Sequence, residues 1–407
     1  LKRGGEGMDE HGGAAMRIYH FSEQPYPDAW VPENKSLRVV LPSRNCDPRV
    51  MAENYHHRLD EWMLADELGL DIMINEHHAT ATCCCPVAAV PLAILARQTK
   101  RARLLTLGYP IANRLDPVRV AEELAMIDVI SRGRLEMGLV RGVPYEVPLS
   151  VRSAVGQMDR FWEAHDLIIK AMTSIDGPFD WQGEHFQYRN VNVWPRVYQQ
   201  PHPPVWITGR SPQNIREIAE RGYVLGTFLS GFQTKDLFDH YRKACADLGR
   251  PAPGPDRFSY LGLVAIAQDR KEAWRRAEIM AGYLRTSGIV AEPFSTPPGY
   301  FSVKDAARMI KARGKRGTMT RDGKFVDTHH GAIEDLVKAG IMFVGTPDDV
   351  TSQLQEFIDG VGGLGHFLMA GHAGHLTHEE AVDQITLVAR EVLPRLQKPR
   401  AASKQAA

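Results

Sequence analysis

From residue 17 onward the chain alternates short β-branched or apolar runs with longer amphipathic stretches, and this alternation most constrains the fold. A strand cannot pair in parallel with the next one unless the chain crosses back over the sheet, and a helix is the usual crossover. Candidate strands fall at 17–21, 70–75, 103–108, 135–140, 204–208, 223–228, 258–267 and 366–370. Helical periodicity lies between them. At 117–131, Val118, Ala121, Leu124, Ala125 and Ile127 share one face, and 214–221 runs to a stop at Gly222. Eight such units suit a closed α/β barrel, a (β/α)8 TIM barrel, better than an open sheet.

The chain of 407 residues is long for one core, but barrels of this size are commonly single domains with insertions. The expected division is a disordered leader at 1–15, the barrel at 16–397 and a polar tail at 398–407. Two stretches break the rhythm. Residues 176–204, rich in Trp, Pro and Gly, read as a hairpin excursion, and 288–340 reads as an insertion acting as a lid. Its basic residues Lys311, Arg313, Lys315 and Arg316 are expected near the pocket mouth.

Composition narrows the function. Net charge is zero, which offers no basic field for nucleic acid or an anionic membrane, and no apolar run is long enough to span a bilayer. The expected ligand is a small molecule. The five cysteines (Cys46, Cys83, Cys84, Cys85, Cys245) have no zinc spacing and read as reduced thiols of a cytoplasmic protein. The histidine-rich segments 76–78, 329–330 and 366–378 lack the HExxH order that places two ligands and a base on one helical face, so no metal is expected.

In a parallel barrel the chemistry collects at the carboxyl ends of the strands. The first strand runs into Ser22, Glu23 and Gln24, the second into Glu76, His77 and His78, the fourth into Arg141 and Gly142, and the fifth into Gly209, Arg210 and Ser211. Arg141 could clamp a phosphate, with Gly142 allowing close backbone approach. Ser211 and Asn214 open a helix with Pro212 in its first turn, an arrangement suited to an anion, although a plain N-cap would look the same. If 76–78 continue the strand, alternation sends His77 and His78 to opposite faces.

These residues, with EHH at 76–78, DPVRVAEELAMIDVISRGRLEMGLVRG at 116–142, HPPVWITGRSPQNIREIAERG at 202–222 and VGTPDDV at 344–350, resemble the bacterial luciferase-like family of flavin-dependent monooxygenases. The resemblance runs from about residue 16 to 396. It implies an enzyme that uses reduced FMN and O2 to oxygenate a small organic substrate through a flavin peroxide. His77 would do acid–base work beside the flavin, supported by Glu76 and His78. Arg141, Ser211 and Asn214 would hold the phosphate, with Gly209 and Arg210 beside them. Gly108 and Tyr109 would lie under the isoalloxazine, where relatives have a cis peptide that here could fall at Tyr109-Pro110. No GxGxxG fingerprint opens a βαβ unit, so a separate NAD(P)H:flavin reductase is the expected source of reduced FMN. The resemblance also implies a homodimer. Competing readings are a deazaflavin-dependent dehydrogenase of the same fold and a non-catalytic flavin-binding subunit.

Overall fold

A computed structural model of the chain describes residues 16–150, 153–311 and 317–397. The leader, the tail from 398, and Arg313, Lys315 and Arg316 lie outside the described residues. Nine parallel strands form the main sheet: β1 (Arg17–Ser22), β2 (Asp71–Ile74), β3 (Leu104–Pro110), β4 (Leu135–Val140), β5 (Val205–Thr208), β6 (Val224–Phe228), β7 (Phe258–Ile266), β8 (Met342–Gly345) and β9 (His366–His372). Eight of them close a ring. Strand β7 pairs with β6 from Leu225↔Phe258 to Phe228↔Leu261, and with β9 from His366↔Ser259 to Ala370↔Leu263. The ring continues through β1, β2, β3, β4 and β5. The eight strands expected from sequence are these eight, and the protein is a (β/α)8 barrel.

Strand β8 is additional. It pairs with the far half of β7, Met342↔Leu263 to Gly345↔Ile266, beyond the stretch that β6 covers. Only four residues long and leading directly into a helix, it gives too short an apolar run to separate from its surroundings by periodicity.

Helices lie between the strands: α1 (Pro48–Leu68), α2 (Ala89–Gln98), α3 (Pro117–Ser131), α4 (Gln157–Thr173), α5 (Pro212–Arg221), α6 (Thr234–Asp247), α7 (Arg270–Ser287), α8 (Pro347–Gly360) and α9 (His378–Leu387). Their starts are written in the sequence. Asp116 accepts from the Arg119 amide at 3.1 Å with Pro117 in the first turn of α3, and Thr346 and Asp349 form a reciprocal capping box on α8. Strand residues alternate between two cores. Ile18, Ile72, Ile74 and Leu104 face the helices, whereas Tyr19, Phe21, Met73, Leu105 and Leu107 fill the barrel. The amino-terminal end is plugged by Arg17, which donates to Asp71 at 2.7 and 2.8 Å, and by the Tyr19 hydroxyl, which donates to Glu136 at 2.8 Å. The opposite end stays open to ligands.

The 176–204 excursion forms the expected hairpin, Phe179–Gln182 against Gln187–Val191. The 288–340 insertion is folded where described, with helices at Glu292–Ser295, Val303–Lys311 and Ile333–Lys338 and a hairpin of Gly317–Met319 with Phe325–Asp327.

Outside the barrel wall, β1, β9 and α1 bury a polar cluster. Glu61 accepts from Arg58 (3.2 Å), His372 (3.2 Å) and His378 (2.9 Å), and His20 lies beside it, Nε2 4.0 Å from Glu61 Oε2, with no hydrogen bond to either ring nitrogen among the described residues. Burial holds His20 neutral and lowers its pKa from 6.5 to about 4, and burial lowers that of His372 too; Glu61 opposes both shifts. The unfolded chain therefore takes up protons that the folded one refuses. The contribution of His20 and His372 to stability is full above about pH 6.5 and drains as pH falls toward 4, while His378, whose pKa Glu61 raises, works against it. The thermal midpoint should drop across that window, and His20→Asn should make the drop shallower; an unchanged slope in the variant would remove His20 from the account.

Candidate active site

A cavity of about 1050 Å³ opens at the carboxyl ends of the strands, lined on its floor by Phe21, Met73, Leu107, Val140, Ile207 and Leu261. Of the expected site residues, Glu76, His77, Gly108, Arg141, Gly209, Arg210, Ser211 and Asn214 all line it. Tyr109 and His78 do not.

His77 is placed by the loop after β2, because the strand ends at Ile74 and residues 75–78 are irregular. The inward turn of His77 and the outward turn of His78 therefore come from loop geometry and not from strand alternation. Nor do Glu76 and His78 support the His77 ring directly. Its Nδ1 lies 2.8 Å from Glu146 Oε1 and 3.3 Å from the Tyr145 hydroxyl. The same Glu146 oxygen accepts from the His78 amide at 3.0 Å. Glu146 is buried, which alone would raise its pKa, yet His77 and the amide hold it below the usual carboxylate range. An ionised Glu146 orients the ring and leaves Nε2 free of it.

Glu76 is engaged elsewhere. It accepts from Arg114 Nη2 at 2.5 Å and from the Ala88 amide at 3.0 Å, so it steadies the start of α2. His78 is half-buried and sits 3.3 Å from Glu76, whose hydrogen bond raises its pKa.

On β3 the pairing with β4 shifts between Leu107 and Tyr109, and the cis peptide falls at Leu107-Gly108, not at Tyr109-Pro110. Gly108 faces the cavity. Tyr109 is turned into the helix layer, where its hydroxyl bonds Glu123 and Arg114 lies 4.8 Å over its ring. A phenol with those partners cannot also lie under a cavity ligand.

Arg141 follows β4 and stacks on Tyr300 of the insertion, its guanidinium carbon 3.9 Å from the ring centroid. Arg141 Nε donates to the Tyr300 hydroxyl at 3.1 Å, and that hydroxyl donates to the Gly142 carbonyl at 2.6 Å. Gly142 has φ +97°, and a Cβ there would come within 2.6 Å of Asn113, so glycine is required by both conformation and space. After the neighbouring strand β5, Ser211 caps α5 by accepting from the Asn214 amide at 3.2 Å, which leaves its hydroxyl proton free to donate. The Asn214 side-chain amide donates one N–H to Thr208 at 3.1 Å, and among the described residues the buried Oδ1 has no hydrogen-bond partner, so it presents an acceptor to the cavity. Gln157 also lines the cavity and presents a buried Oε1 with no hydrogen-bond partner among the described residues, its Nε2 being held by Asn113 at 2.6 Å. Arg210 is exposed at the rim, near the Phe228 carbonyl.

The insertion contributes Gly299, Tyr300, Phe301 and Ser302 to the cavity wall, whereas Lys311 is exposed and does not line it. Among the described residues no group of three or more His, Cys, Asp or Glu is arranged to hold a metal.

The model for luciferase-like monooxygenases matches residues 36–362. The chain belongs to that family. It is 30% identical over 219 residues to the oxygenase component of a flavin-dependent trigonelline monooxygenase from Acinetobacter baylyi, a match that takes in 51% of this chain and 59% of that protein. With the alkanal monooxygenase alpha chain of the Kryptophanaron alfredi symbiont it shares 25% identity over 82% of this chain and 90% of the relative. Among solved structures, the FMN complex of the oxygenating constituent of 3,6-diketocamphane monooxygenase from Pseudomonas putida superposes with a TM-score of 0.70 at 20% identity, covering 95% of this chain and 100% of that one. An F420-dependent secondary alcohol dehydrogenase, at 14% identity and a TM-score of 0.63 over 95% of this chain and 100% of that one, shares the fold.

Proposed function

We propose that this chain is the oxygenase of a two-component monooxygenase, which binds reduced FMN delivered by a separate NAD(P)H:flavin reductase and uses O2 to oxygenate a small organic substrate. The observation that carries this reading is the placement of phosphate donors, orphaned acceptors and a histidine–carboxylate pair around one cavity. Arg141, whose terminal nitrogens have no partner among the described residues, and the Ser211 hydroxyl suit a phosphate. Asn214 Oδ1 and Gln157 Oε1 are buried acceptors that the hydroxyls of a ribityl chain would satisfy. At about 1050 Å³ the cavity lies at the top of the roughly 300–1,000 Å³ usual for a small-molecule site, in keeping with a substrate beside a flavin.

Reduced FMN would supply the electrons that activate dioxygen. The protein's part is to hold it, exclude water and move a proton. His77, oriented by Glu146, takes or gives that proton at Nε2, and the apolar floor keeps the site dry. Residues 299–302 close one side, which supports a covering role for the insertion.

The expected homodimer has a candidate surface. Val90 and Ile94 on α2 and Met126, Val129 and Ile130 on α3 are exposed apolar side chains on two helices packed side by side. Cytoplasmic action follows from dependence on an NAD(P)H-driven reductase. A deazaflavin-dependent dehydrogenase remains the competing reading. Reduced FMN mixed with O2 in the presence of protein separates the two, since only an oxygenase should couple O2 consumption to substrate oxygenation.

Three outcomes follow. Arg141→Ala should weaken FMN binding by about 1.5–3 kcal/mol and leave riboflavin nearly unaffected, as read by equilibrium titration; equal losses would remove Arg141 from the phosphate. His77→Ala should cut product formation in single turnovers of enzyme-bound reduced FMN by about 100- to 10,000-fold with FMN affinity unchanged. Met126→Lys should shift sedimentation from dimer to monomer, and a wild-type protein that sediments as a monomer would discard the α2–α3 interface.

A further inference from the structure

Of the carboxylates lining the cavity, the exposed Asp159 and Glu23 have no ion pair among the described residues, and Glu23 is the one held in place by the surrounding side chains. Six acidic or basic lining residues have side chains that could meet a ligand from the walls: Glu23, Glu76, Glu146, Arg141, Arg210 and the exposed Asp159 at the start of α4. Glu76 is answered by Arg114 and His78, and Glu146 by His77. Glu23, directly after β1, is held by neutral donors only. Tyr283 of α7 donates its hydroxyl to Oε1 at 2.6 Å, and Asn75 Nδ2 donates to Oε2 at 3.2 Å. Asn75 is itself fixed, its Oδ1 accepting from Cys83 Sγ at 3.2 Å. Tyr283, Asn75 and Cys83 are all buried.

This chain of bonds aims the carboxylate without neutralising it. The Arg38 guanidinium feels its charge, but Arg38 bonds Thr82 at 3.2 Å, lies over the Tyr145 ring and does not line the cavity. No ion pair with Glu23 exists among the described residues. Phe21 and Met73, beside it, are apolar, and a charge facing a weakly polar space interacts more strongly than one in water. Both cavity arginines lie on the side assigned to phosphate. The cavity is thus divided, with positive charge toward Arg141 and an unanswered negative charge on the side of β1 and β2.

We propose that Glu23 anchors a positively charged nitrogen on the substrate, so that the preferred substrate is an organic cation with an apolar body. This rests on the reading of the cavity as a flavin site with room for a substrate. Tyr283 and Asn75 are positioning residues that hold the carboxylate in place, and Glu23 contacts the substrate. Anionic substrates are repelled there and find their cation at the end the flavin phosphate takes.

The test uses three probes of matched apolar length, hexylammonium, 1-hexanol and hexanoate, titrated calorimetrically into protein saturated with oxidised FMN. Hexylammonium should bind about tenfold more tightly than hexanol, with hexanoate weakest. Glu23→Gln, which keeps the shape and can still accept from Tyr283, should abolish the ammonium preference and leave hexanol unchanged. Hexanoate binding as well as hexylammonium, no measurable hexylammonium binding, or a preference that survives Glu23→Gln each overturns the proposal. If the Gln variant does not fold, the order of the three probes on wild-type protein still decides. FMN saturation is measured first. A protein that binds no FMN refutes the flavin reading, whereas FMN binding with the wrong probe order refutes only the role of Glu23.

Discussion

The site depends on the double pairing of β7. By bonding β6 along one edge and β9 along the other, it turns an open parallel sheet into a ring with no free edge in that stretch. Closure brings the ends of β2, β4 and β5, which are far apart in sequence, onto one rim, so that His77, Arg141 and Ser211 share a cavity. The same closure explains the one-sidedness of the chemistry. With Arg17, Asp71, Tyr19 and Glu136 filling the amino-terminal end with paired polar groups, only the carboxyl end has side chains left for a ligand.

The barrel was legible in the sequence because its signals are local. Continuous apolar runs mark strands buried on both faces, and Asp116, Thr346 and Pro212 mark helix starts within a residue or two of where they occur. The rim residues were legible because rim position follows from where strands end. What could not be read is which side chain each one meets. Glu146 lies some seventy residues from His77, within a short 3-10 turn whose only visible mark is an acid in PYEVP, and nothing local couples the two. Tyr109 failed for a different reason. The shift in register between Leu107 and Tyr109 reverses which residue faces inward, and a one-residue change in pairing leaves no mark in composition.

Of the basic residues expected at the pocket mouth, only Lys311 is described, and it is exposed and does not line the cavity. A run of lysine and arginine draws attention, but charge usually faces water. At the cavity the insertion contributes Tyr300 and Phe301, with Tyr300, Val147 and Ala154 forming a small apolar cluster. Tyr300 is buried even though its loop crosses the cavity mouth. An aromatic residue with a hydroxyl can do both jobs needed there, packing with its ring and bonding with its tip.

That contact ties the insertion to the residue assigned to phosphate. Tyr300 meets Arg141 through its ring and through its hydroxyl, which at the same time bonds the Gly142 carbonyl. Stacking fixes the plane of the guanidinium and the Nε bond sets its rotation, while the terminal nitrogens have no partner among the described residues. An arginine already oriented loses less freedom on taking an anion than one that must first be ordered. To the extent that Tyr300 orients Arg141 for an anion, an anion bound there in turn favours the Tyr300 contact, since linkage is reciprocal. If Arg141 holds the flavin phosphate as proposed, filling that position and the Tyr300 contact are coupled, a coupling that a bare basic loop facing solvent would lack.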